Sequence, residues 1–297
     1  MAHPALSAPG GVAGALDLAS VWSPRLEVAV PLLVVTSAYA VGWWRLHRRG
    51  APVSAWRVAA GGGGLAALAL ALLSPLDALA DRLFTGHMVQ HLLLIAVAAP
   101  LLLLADPFPA LVWALPTPIR APVGRALRRG RWLRRTGAAL TGLPVAWTLH
   151  VLVVWLWHAP VAYDAAVADR LVHDLEHLAF VGSAALFWWP VVLPAPRLRA
   201  RASYASRMAA LVLGALQGAL LGLLLAVSPD VWYASYAHPV STWGLTPLED
   251  QAIGGVVMWG VGGAIDMLAV LVLAYRMLAA EDRRAARGSA LGPERAG

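Results

Sequence analysis

Residues 87–104 read HMVQHLLLIAVAAPLLLL. A helix of that length rises about 27 Å, close to the roughly 30 Å hydrocarbon core of a bilayer. The run carries no acidic or basic residue, yet two histidines four apart open it. Histidine inside a membrane is costly, and an ionisable group there points to function. A second stretch, HDLEH at 173–177, repeats the spacing at the head of another apolar run. The fold follows from the apolar runs, and the function from what interrupts them.

The rest of the chain agrees with a membrane solvent. Of the 297 residues, 60% are hydrophobic and 13% charged, against about 45–50% and about 25% in soluble domains. Seven predominantly apolar segments are predicted to span: 27–46, 57–76, 86–105, 138–159, 171–193, 205–227 and 251–276. Pro- and Arg-rich stretches separate them. The segment PFPALVWALPTP (107–118) is apolar but short and holds four prolines; it reads as an interfacial or re-entrant piece. The expected fold class is all-α, a polytopic membrane helix bundle of about seven transmembrane helices. Its domain plan is a tail at 1–24, a seven-helix domain at 25–280 and an Arg-rich tail at 281–297.

The basic residues, all 23 of them Arg, set the direction. Arg45, Arg48, Arg49 and Arg57 follow the first span. Arg120, Arg125, Arg128, Arg129, Arg131, Arg134 and Arg135 follow the third. Arg197, Arg199, Arg201 and Arg207 follow the fifth, and Arg276, Arg283, Arg284 and Arg287 follow the seventh. The alternate loops hold only Arg82 and Arg170. Basic loops stay cytoplasmic, so the N-terminus is expected outside and the C-terminus in the cytoplasm. The net charge of +7 is then an orientation signal and a contact with anionic lipid heads, not a nucleic-acid surface. The first 24 residues lack a cationic start followed by an apolar run, so they make a poor signal peptide.

With that orientation, six of the nine histidines fall at the outer face. His87 and His91 open span 3, His158 ends span 4, His173 and His177 open span 5, and His238 lies in the loop 229–249. Imidazoles at i and i+4 share a helix face and can reach one ion. Glu176 shares the face of His173 and His177 and could accept the free N–H of a ligating histidine. Asp250, Tyr163 and Met258 are candidates for the surrounding layer or for alternate ligands. The chain has no Cys, so a metal would be held by imidazole, carboxylate or thioether. His87, His91, His158, His173 and His177 are therefore the candidate metal ligands.

Other chemistries compete. HDLEH matches the H-x-x-E-H pattern of a zinc peptidase, with Glu176 as general base. Facing histidines on spans 3 and 5 could instead hold haem. Small residues at Gly214, Gly218 and Gly222 in span 6, and Gly254 and Gly255 in span 7, are expected at close helix contacts. Trp155, Trp157, Trp188, Trp189, Trp232, Trp243 and Tyr236 sit near predicted span ends, where an aromatic belt is expected.

Taken in order, HMVQHLLL…AAPLLLL, W-x-H-A-P-x-x-Y-D, HDLEHLAF and TPLEDQAIGGVVMW resemble the CtaG family of cytochrome c oxidase assembly factors. This is the multi-helix integral-membrane kind, not the single-span copper chaperone of the same name. The resemblance covers about residues 25 to 280. It implies a non-enzymatic factor for maturation of a haem–copper oxidase in the bacterial cytoplasmic membrane, acting around copper, with oxidase subunits as partners. The positions that carry it are His87, Gln90, His91, His158, Pro160, Tyr163, Asp164, His173, Glu176 and His177. In span 7 they are Pro247, Glu249, Asp250, Gln251, Gly254, Gly255, Met258 and Trp259. Copper is the implied ligand, with zinc or haem as alternatives.

Overall fold

A computed structural model describes residues 25–290 except 53 and 239–243. The predicted N-terminal tail at 1–24, part of the loop 229–249 and the last residues of the C-terminal tail lie outside the described residues. Helices dominate, with no strand among the described residues. They are α1 (Leu26–His47), α2 (Ala55–Leu73), α3 (Pro75–Ala80), α4 (Phe84–Leu104), α5 (Pro107–Ala114) and α6 (Thr117–Arg129). Then come α7 (Arg131–Leu140), α8 (Leu143–Trp157), α9 (Pro160–Ala168), α10 (Arg170–Val192), α11 (Tyr204–Val227) and α12 (Pro247–Ala290).

Six of these helices are long and apolar enough to cross a membrane, each matching a predicted span. The predicted span 138–159 is different. It is divided between α7 and α8, which meet at a 65° bend. Gly142 and Pro144 lie at the break, and proline cannot continue a preceding helix turn because it lacks the N–H and crowds the carbonyl four residues back. The Arg-rich α7 turns away, and α8 alone supplies the apolar part. Span 7 also runs further than 251–276: α12 has 44 residues, about 66 Å of helix. Its end is rich in Ala and Arg, which are strong helix formers, so the predicted tail begins as a continuation of the helix.

Burial shows which helices are central. About half of α4 and of α10 is buried, whereas α1 and α12 leave long apolar faces exposed, including Leu33, Leu268 and Leu271. Such faces would drive association in water, but in lipid they meet their own solvent. The core has two parts. One gathers Phe84, Met88, Val154, Tyr163, Phe180, Leu221, Leu225, Tyr233 and Tyr236 at the histidine end. The other packs Leu103, Phe187, Trp188, Val191 and Leu211 further along the same helices.

Small residues bring α12 against both neighbours. A Cβ on Gly222 would fall 2.6 Å from the Gly255 carbonyl oxygen, and one on Gly254 would collide with the Phe84 ring. Gly214 touches Phe187, whereas Gly218 faces open space. Beyond the histidines, α4 widens into a π turn over Leu93–Ala98. Pro100 explains it. In the i→i+5 register the Ile95 carbonyl would pair with the Pro100 nitrogen, which has no hydrogen. The Trp188 indole N–H donates to that carbonyl instead, at 3.2 Å. Trp188 is thus buried in the bundle rather than placed in an aromatic belt.

The segment 107–118 forms α5 and the start of α6. The Arg45 guanidinium donates to the carbonyls of Trp113, Ala114 and Leu115 at 2.9–3.2 Å. Those groups would otherwise be orphaned at the end of α5.

Candidate metal centre

Two helices bearing paired histidines must be held in register before their side chains can meet. The first amides of α4 have no side-chain cap of their own. Asp250, from the first turn of α12, supplies one: its carboxylate accepts Phe84 N–H at 2.7 Å and Thr85 N–H at 3.0 Å. Asp169 caps α10 by accepting from Leu171 and Val172 at 2.9 and 3.0 Å. A charge at a helix N-terminus also complements the helix dipole. Asp250 is therefore spent on backbone amides and does not join the ligand group.

The capped helices bring His87, His91, Glu176 and His177 together. One ligand atom from each lies within 4.8 Å of all the others, and all four residues are buried. His87 Nε2 is 3.5 Å from Glu176 Oε2, and His91 Nε2 is 3.7 Å from Oε1. These separations are long for a charge-assisted hydrogen bond. They are close to the roughly 3.3 Å between ligand atoms that each sit about 2.0–2.1 Å from one tetrahedral ion.

Proton placement favours the same conclusion. Tyr236 donates its hydroxyl proton to the Ala80 carbonyl and lies 3.0 Å from His87 Nδ1. Burial pushes the Tyr236 phenol well above its usual range, so it keeps that proton. His87 Nδ1 must then be the donor, which in a neutral imidazole leaves the Nε2 lone pair facing the Glu176 carboxylate. His158 is fixed similarly: Nδ1 is 2.7 Å from the Val154 carbonyl, which can only accept. Its Nε2 is left unprotonated and without a hydrogen-bond partner. Lone pairs facing a carboxylate repel unless a cation lies between them. No hydrogen-bond partner is found for either nitrogen of His91 and His177, for His173 Nε2, or for either Glu176 oxygen. Buried polar atoms are normally paired, so an orphaned cluster needs an explanation.

The other candidates surround this group. His158 lies 5.9 Å from His91 between ring centroids, and His173 lies 4.9 Å from His87 and 4.2 Å from His177. Tyr163 is fully buried, stacks on Tyr233 at 4.0 Å and tilts over His87 at 4.9 Å. Met258 packs against the same core. His238 is exposed, so the histidines do not all converge.

The loop 229–249 and the start of the seventh span were expected to cap the cluster; sequence reasoning missed the inward tyrosines of that loop. Tyr236, read as an interfacial anchor, is buried and orients His87. Tyr233 donates to the His158 carbonyl at 3.0 Å. Asp164 accepts from Ala234 and Ser235 at 3.2 and 3.0 Å, and Gln251 Oε1 accepts from Trp232 N–H at 2.7 Å. Asp164 and Gln251 thus staple the loop over the cluster. Nothing in local sequence distinguishes a tyrosine aimed inward from one at a membrane surface.

Gln90 faces away from the cluster. Its amide donates to the Ala71 carbonyl at 2.8 Å and to Asp77 at 2.9 Å. Asp77 also meets Arg25 at 3.3 Å and Arg170 at 3.5 Å, and Arg25 pairs further with Asp174 and Glu27.

The fold and site define a class: a multi-span helical membrane protein with a buried imidazole–carboxylate cluster at one end. Comparison narrows it. Residues 37–280 match the family described as cytochrome c oxidase caa3 assembly factor, and the chain belongs to that family. Among curated proteins it is similar to the uncharacterized proteins Mb0105 of Mycobacterium bovis and MT0111 of Mycobacterium tuberculosis. Each is 26% identical over 275 residues, covering 90% of this chain and 40% of the relative. The uncharacterized protein ML1998 of Mycobacterium leprae is 24% identical over 277 residues, covering 90% and 41%. The chain thus spans about 40% of the length of these relatives. No solved structure matches it.

Proposed function

We propose that this protein binds copper at the histidine cluster and supplies it to a haem–copper oxidase subunit during assembly. The observation that carries the reading is the convergence of three imidazoles and one carboxylate, all buried, with ligand atoms within 4.8 Å of one another. Family membership supports the assembly role. Imidazole suits copper and zinc alike. The assembly role weights the reading to copper, and the lack of cysteine means that no thiolate takes part.

His87, His91, His177 and Glu176 would hold the ion, with His158 and His173 as neighbouring donors. Tyr236 fixes the tautomer of His87, and Tyr163 walls the site. The chain performs no bond-making step; transfer needs only exchange of ligands. The Arg-rich loops, by the positive-inside rule, support a cluster on the extracytoplasmic side of the bacterial cytoplasmic membrane. Arg45, Arg48, Arg49 and Arg120 would meet anionic lipid heads on the other side.

Metal analysis of the purified chain after mild copper loading tests this. Wild type should retain copper, and His91→Ala and His177→Ala should lose it. A wild-type chain that retains neither copper nor zinc would overturn the reading.

A further inference from the structure

The cluster is not a closed end. A cavity of about 80 Å³ adjoins it, lined by His91 and His158 at one end and by His150, Met258 and Asp266 elsewhere. This volume holds a few waters or a partly hydrated ion. It is well below the roughly 300 Å³ of ordinary organic-ligand pockets.

Helix geometry places the lining groups at two depths. His150 is eight residues before His158 on α8, about 12 Å further into the bundle. Asp250 lies level with Phe84, which it caps. Counting from there, Met258 reaches the depth of His91, and Asp266 lies about 13 Å beyond it. His150 and Asp266 thus share one level below the cluster.

His150 is held by its neighbours, its ring stacked on Phe187 at 5.2 Å, whereas Asp266 is not explained by packing. Asp266 sits within a long apolar span without a hydrogen bond or ion pair to any described residue. An unpaired carboxylate at that depth is expensive and by default functional. His150 lies 3.1 Å through Nδ1 from the Ser183 hydroxyl, which itself donates to the Phe180 carbonyl at 3.2 Å. Nδ1 is therefore the donor, and Nε2 remains an unprotonated acceptor. The space itself depends on missing side chains: a Cβ on Gly218 would meet nothing within 4 Å.

We propose that this cavity is a second cation site beneath the histidine cluster, with His150 and Asp266 at its floor and Met258 beside the shared His91 and His158. Imidazole and thioether suit a copper ion, and the carboxylate supplies countercharge for a cation in transit. The inference rests on the copper reading of the cluster above it.

The test is the number of cuprous ions retained per purified full-length chain in detergent after loading and desalting. Wild type should hold two. Asp266→Asn, which keeps size and removes charge, should hold one, as should Gly218→Leu, which fills the cavity without touching the cluster. The ion that remains reports that each variant is folded. Two ions retained in both variants would overturn the second site. One ion in wild type, lost in Glu176→Gln, would overturn it while leaving the cluster standing. No ion in wild type would overturn both.

Discussion

Two polar groups of residues lie side by side at the same end of the bundle, and they are built in opposite ways. Arg25, Asp77, Asp174, Glu27, Arg170 and Gln90 form a network in which charge meets charge and amide meets carboxylate. It ties the start of α1 to α3, α4 and α10, and Arg25 is only 2% exposed. Next to it, His87, His91, Glu176 and His177 are equally buried, but every ring nitrogen except His87 Nδ1, and both carboxylate oxygens, lack hydrogen bonds. A network whose charges are paired is a clamp: it holds helices together, even though Gln90 Oε1 finds no hydrogen-bond partner. An unsatisfied cluster inside a capped, stapled frame costs free energy that packing does not recover. On the proposed reading, the frame is arranged for an ion that arrives from outside.

The comparison breaks first at Glu176. Changing it to Gln keeps the volume but removes the only acidic ligand in the group. Copper affinity should fall by at least about 100-fold, and the unloaded protein should be no less stable, because a buried charge without hydrogen bonds is relieved. Equilibrium copper competition and thermal unfolding of the unloaded chain check the two halves. Reduced stability with unchanged copper binding would make the cluster another clamp.

Arg25→Ala should do the reverse. Removing one partner of a buried ion pair leaves the other uncompensated and costs roughly 3 kcal/mol, discounted somewhat because Asp174 is one-third exposed. Thermal unfolding should fall by several degrees. Chains that stay folded should keep their copper, so a loss of copper in step with Arg25 would merge the two regions into one device.

The two regions also differ in how much of them the sequence discloses. Five of the seven spans were legible to within three residues at each end because hydrocarbon thickness dictates the length of an apolar run. The paired histidines were legible because i,i+4 spacing forces a shared face. The break between α7 and α8 was masked by the apolar run over 143–157, although Gly142 and Pro144 stand in plain view. What was hidden is long-range. Asp250 read as part of the surrounding layer or an alternate ligand, and its partners are amides 165 and 166 positions away in the chain. Arg25, which runs against the positive-inside pattern, is neutralised by Asp77 and Asp174, both distant in sequence. Trp188 and Tyr236 looked like membrane-surface aromatics until the π turn and the closing loop gave them inward partners.

Tyr236 offers a finer cut through the comparison, since it touches the cluster yet is itself satisfied. Tyr236→Phe keeps the ring and removes the hydroxyl that sets the His87 tautomer. Loss of such an outer hydrogen bond typically lowers metal affinity about 10- to 100-fold; the low end is expected here, because only one of the ligands is affected. A copper competition assay showing no change would mean that His87 is not among the ligands, leaving the group to His91, His177 and Glu176.

The smallest effect should come from Asp250, which belongs to the frame alone. Asp250→Ala removes the cap of α4, and loss of an N-cap costs about 1 kcal/mol. His87 is the fourth residue of α4, but its ring is oriented by Tyr236 and not by the cap, so copper affinity should change less than in Tyr236→Phe while unfolding shifts by a few degrees. Hydrogen exchange at Phe84 and Thr85 should rise locally, since their amides lose their acceptor. If Asp250→Ala instead abolished copper binding without speeding that exchange, the carboxylate would have to serve the ion directly, and the line between frame and cluster would move to include α12.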